Sequence, residues 1–211
     1  FFFNYTATTD IYTLTLQASL PILAELDPQN KAVSQRIDDL KNKLGVYDVP
    51  SQYKSIAEEE AITREDLAAL IAVKFTDVFS VPGRRTEIMV DIAASWAQKF
   101  IIKVVSLDVM SAYDNHTFQP KKIVNRAEVA EAIDRLVDFL KGRGAKIVPL
   151  VETRRIQIDD VAHDNVYYQP ILRVVAYQVM DLTPQKMFEP ERTVSGKEAA
   201  RVLDLVLRLA K

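Results

Sequence analysis

The 211-residue chain has no cysteine, two histidines, one tryptophan and five glycines. Without cysteine there are no disulfides, no thiol catalysis, and no cysteine-ligated zinc or iron–sulfur site. His116 and His163 belong to no spaced ligand set, so no histidine metal site is expected, and neither a metal nor a cofactor is implied. With so little glycine there is no glycine-rich phosphate loop, and no nucleophile signature of the usual kinds occurs. Basic excess is missing too: 27 Lys+Arg face 29 Asp+Glu for a formal charge of -2, so nothing points to nucleic acid or an anionic surface. No apolar run reaches the roughly 20 residues that a membrane helix needs. The chain opens FFFNYTATTD rather than with Met and reads as a processed or partial product.

What is present is enough apolar sequence, 48% of residues, to bury a core, and an internal repeat. MSAYDNHTFQPKKIVNRAEVAEAI, from Met110, lies over MDLTPQKMFEPERTVSGKEAARVL, from Met180, without a gap. Met, Phe, Pro, Val, Glu and Ala recur at 110/180, 118/188, 120/190, 124/194, 128/198 and 130/200. Ordinary composition gives about one or two such identities by chance. Upstream the likeness continues as an Asp-Ile/Val start and an apolar-periodic helix ending at Met. In the first copy Trp96, Phe100, Val104 and Leu107 recur at three- and four-residue steps, on one face. A partial third copy, ITREDLAALI, runs from Ile62 to Ile71.

Each unit therefore reads as helix, extended turn, helix, the Phe-x-Pro segment being non-helical because Pro biases its predecessor towards extended geometry. The second helices open alike. Thr63, Asn125 and Ser195 are N-cap residues, and Asp66, Glu128 and Glu198 follow three residues later, the spacing of a capping box. Ile62, Val124 and Val194 before the caps pair with Leu67, Val129 and Ala199 as hydrophobic staples. The acids are thus accounted for by capping alone. Arg64 and Arg126 are not, because a cation at the first helical position opposes the helix dipole. Two readings stay open for them: an anion bound from outside, or a carboxylate from a neighbouring repeat. The third unit has Gly196 at this place. Between the second and third units, AKIVPLV reads as a short strand or an extended insertion.

Residues 1–45 differ in kind: two helical segments break at Asp27-Pro28. Ala24, Leu26, Asp27, Pro28 and Asn30 resemble the junction of a tetratricopeptide array. Such a segment cannot bury its own face and is expected, with the apolar Phe1-Phe2-Phe3, to lean on other protein subunits.

Asp91-Ile92, Trp96-Ala97, AYDNHTFQP and VNRAE in the second unit, with ITRED in the first, resemble S-layer homology (SLH) domains. The likeness covers roughly 46–211: a degenerate first repeat at 46–80, a second at 91–140 and a third at 158–211. It implies a mainly α fold of helix–turn–helix repeats in a pseudo-threefold arrangement, preceded by the tetratricopeptide-like pair. It also implies a non-catalytic, exported module of the bacterial cell envelope, binding an anionic, pyruvylated-type wall glycan or peptidoglycan-associated polymer in inter-repeat grooves. The family's ligand residues map onto Arg64, Arg126, Trp96, Tyr113, Asp114 and Thr117, whereas Ala112 and His116 replace its turn glycines. The alternative keeps the fold as a protein-interaction scaffold of an envelope assembly in which glycan binding is lost.

Overall fold

The computed structural model describes residues 49–79, 83 and 87–210, which belong to one compact unit, Asp48–Lys211. The tetratricopeptide-like expectation for 1–45 lies outside the described residues. Among those described there are seven α-helices: α1 Ser51–Ser55, α2 Arg64–Lys74, α3 Thr76–Phe79, α4 Gln98–Ser106, α5 Arg126–Gly142, α6 Tyr168–Ala176 and α7 Gly196–Leu209. Short 3₁₀ turns lie at Ile56–Glu58 and Thr153–Arg155. The described residues contain no strand, only isolated antiparallel bridges joining Thr63 to Ile123 and Asn125 to Thr193. AKIVPLV accordingly runs as an extended insertion. Ile147 is buried, Val148 and Leu150 are exposed, and the amides of Leu150 and Val151 donate to the Ala176 carbonyl at the end of α6.

The helix starts follow from side-chain chemistry. Thr63 Oγ1 accepts from the Asp66 amide and the Asp66 carboxylate accepts from the Thr63 amide, a complete capping box. Asn125 and Glu128 form the second. At the third start Ser195 Oγ accepts from the Glu198 amide at 3.2 Å. The Glu198 carboxylate, expected to reach back to the cap, is instead engaged by Arg126 and Arg192.

The helix ends repeat as well. After α4, Asp108 takes φ 61° and the Val109 amide donates to the Val104 carbonyl; after α6, Gln178 takes φ 54° and Val179 donates to Val174. This is the left-handed stop that usually uses glycine. α5 does end on glycine, with Gly144 at φ 97°.

Helices of successive units pack on each other: α2 on α4 and α5 on α6, while α7 packs on the Ile56–Glu58 turn and also contacts α2 and α5. Ile62, Val124 and Val194, each fully buried, meet where the caps converge. The Ile62 amide donates to Val194 and the Val124 amide to Ile62. Phe118 and Phe188 are fully buried beneath the turns, and Phe79 stacks edge-on to Phe139 at 5.4 Å. Of the apolar face expected around α4, Phe100, Val104 and Leu107 are buried. Trp96 precedes the helix, half-buried and edge-on to Phe100 at 6.1 Å.

Candidate functional site

Each motif arginine reaches across to the turn of the following unit. Arg64 Nε donates to the Phe118 carbonyl at 2.7 Å and Nη2 to the Ser111 carbonyl at 2.7 Å. Arg126 Nε donates to Phe188 at 2.8 Å and Nη2 to Asp181 at 2.9 Å. Each guanidinium also lies 4.6 Å from the centre of the buried Phe ring, Phe118 or Phe188. The backbone accompanies the side chains: the amides of Arg64 and Glu65 donate to Lys122 and Pro120, and those of Arg126 and Ala127 to Arg192 and Pro190. Both arginines are therefore 7% exposed, and their unfavourable place at a helix start is offset by turn carbonyls.

Their remaining nitrogens differ. Arg126 Nη1 is taken by the Glu198 carboxylate; burial lowers the Arg126 pKa, with Glu198 opposing that shift. Arg64 Nη1 has no acceptor among the described residues. No fully buried side-chain nitrogen or oxygen among them lacks a partner, so Nη1 is not fully buried.

Arg64 lines a groove of about 200 Å³, smaller than the roughly 300–1,000 Å³ of enclosed small-molecule pockets. Val109, Met110, Ser111, Tyr113, Glu128, Arg135 and Tyr167 also line it. Three units contribute: Arg64 from the first, the turn and α5 from the second, and Tyr167 from the approach to α6. Tyr113 is flanked by Arg64 at 4.8 Å and Lys122 at 5.5 Å, and its hydroxyl accepts from Lys122. Hydrogen bonds to Glu128 and then Tyr113 raise the Lys122 pKa. Burial, followed by Glu131 and Glu128, raises that of Tyr167. Arg135 donates to Ser111 Oγ and to Glu131 at 2.8 Å. Glu128 is paired to Lys122 and Glu131 to Arg135.

The expected ligand residues are thus divided. Arg64 and Tyr113 share the groove. Arg126 lies in a separate and larger depression, of about 450 Å³, with Lys197, Glu198 and Arg201. Asp114 is exposed beside Glu87, Ile88 and His116. Thr117 organises the turn, its amide and hydroxyl both donating to Asn115 Oδ1. Trp96 lines neither depression.

Sequence reasoning missed Arg135, Lys122 and Tyr167. Arg135 lies on the same helical face as Glu131, four residues earlier, the only signal available. Glu65 was missed as well; it is 2% exposed and is held by Ser95 Oγ at 2.6 Å and by Lys121. No group of residues able to hold a metal ion occurs among the described residues, and no helix among them is long and apolar enough to cross a membrane.

The family model for the S-layer homology domain matches residues 89–130 and 159–200, two segments in the same register as the internal repeat that lays Met110 over Met180. Domains of this family are non-catalytic anchoring modules that bind secondary cell-wall polymers, and they occur in cell-envelope and surface proteins. No curated protein matches the chain.

Proposed function

We propose that this chain is a non-catalytic cell-envelope anchoring module whose Arg64 groove grips a carboxylate-bearing wall glycan of the pyruvylated type. Its three helix-start segments form a pseudo-threefold ring, with residues 46–80 as the degenerate first repeat. The observation that carries the reading is Arg64, whose Nη1 meets no acceptor among the described residues and which lines a groove with two tyrosines. A guanidinium edge is a strong donor to a carboxylate, and the flanking Tyr113 and Tyr167 give a sugar ring an amphipathic wall. The shallow shape suits one unit of a polymer lying across the surface.

Retention of the chain on purified cell-wall sacculi tests this. Wild type is expected to be retained, with retention reduced at least tenfold by Arg64→Ala or by mild acid removal of the ketal. Equal retention of Arg64→Ala, or none by wild type, overturns it. The scaffold reading is favoured by a different observation: Ile88, Val90, Val148, Leu150 and Val166 are all more than half exposed. Such side chains suit protein contact where they are contiguous, and partner-dependent solubility with no retention on sacculi would select that reading.

A further inference from the structure

We propose that Glu198 is a built-in occupant of the second groove: its carboxylate holds at Arg126 the place that a glycan carboxylate takes at Arg64. The chain is then a monovalent binder: the Arg126 depression keeps about 450 Å³ of space, but its guanidinium edge is already paired, whereas at Arg64 that edge meets no carboxylate. This rests on the glycan-groove reading above.

The two guanidinium groups are seated alike, Nε and Nη2 on carbonyls at equivalent positions of successive units and the plane over equivalent Phe rings. Only the third nitrogen differs, and Glu198 is what it meets. Glu128, the equivalent of Glu198, is not free to do the same. One of its oxygens accepts from the Asn125 amide and the other binds Lys122, which is also tied to Tyr113. In the later unit the holding residues change: Lys122 becomes Arg192, Asn125 becomes Ser195 and Tyr113 becomes Thr183. Arg192 Nη2 alone donates to both Glu198 oxygens, at 2.7 and 3.0 Å, and the nearer one also accepts from Arg126. A carboxylate fixed on the same chain competes at high effective concentration with any dissolved one, so an incoming anion has to displace it. Without Glu198, the depression would present Arg126, Lys197 and Arg201 around Asp181, with Arg192 close by.

The test is calorimetric titration of the full chain with a methyl hexopyranoside bearing a 4,6-linked pyruvate ketal. Wild type is expected to bind one equivalent, Arg64→Ala none, Glu198→Ala two, and the double variant one. Arg64→Lys, which keeps the charge but loses the fork, stands in if Arg64→Ala does not fold. Two equivalents on wild type, or one on Glu198→Ala, overturns the inference while leaving the anchoring reading intact. Absence of binding by every variant sinks the anchoring reading. Guanidinium proton exchange by NMR then decides the internal pair: slow exchange at Arg126 that becomes fast in Glu198→Ala supports it, and equally fast exchange at Arg64 and Arg126 in wild type overturns it.

Discussion

His116 carries a φ of 60° and Lys186, its counterpart in the next unit, one of 62°. Left-handed backbone costs a side-chain-bearing residue about 1–2 kcal/mol, and glycine gives back about 0.5–1 kcal/mol in unfolded-state entropy. His116→Gly is therefore expected to raise stability by up to about 1 kcal/mol, read as a higher thermal midpoint; a clear drop would mean that the imidazole contributes more than its backbone costs. At this scale the sequence was most readable where chemistry is local. Thr63, Asn125 and Ser195 all accept the expected helix amide, since three residues suffice to specify a cap. The fate of the acid was not readable. Glu128 stays with its cap and Glu198 leaves it for Arg192 and for Arg126, which is far from it in the chain.

Between elements, α5 and α6 are joined by an ion pair that no spacing announced. Asp134 is 3% exposed, and its two oxygens meet Arg173 Nε and Nη2 in a fork. The Asp134 bond raises the Arg173 pKa. Breaking a fully buried pair costs about 3–5 kcal/mol, but the Arg173 side chain is 41% exposed and water compensates part of its loss. Asp134→Ala should therefore cost about 2 kcal/mol in urea unfolding, and a cost under about 0.5 kcal/mol would place the pair with ordinary surface bridges. Helical periodicity located α4 and the second helices because each buries one face. It could not locate Asp134–Arg173, whose partners lie on different helices, with residues 143–167 between them.

At the scale of the whole molecule, the decisive contact is made by a residue without a side chain. A Cβ on Gly196 would stand 1.6 Å from the Ile56 carbonyl oxygen, and the Gly196 amide donates to Glu59. Sequence alone showed only that an arginine was missing there. The reason is steric: the first turn comes so close to α7 that neither arginine nor alanine fits. Gly196→Ala is expected to cost about 1–3 kcal/mol, as overpacking does, and to make residues 49–62 the first site cut in limited proteolysis. An unchanged melting curve and cleavage pattern would mean that the turn yields without loss.

That contact has a mechanical side. The turn at Ile56–Glu58 is fastened to the last helix, and Ile62 to Val194. A pull applied at residue 49 therefore meets the backbone bonds at Glu59–Gly196 and Ile62–Val194 before it reaches Arg64. Under such tension the clasp on α7 is loaded first, and the groove only after it gives way.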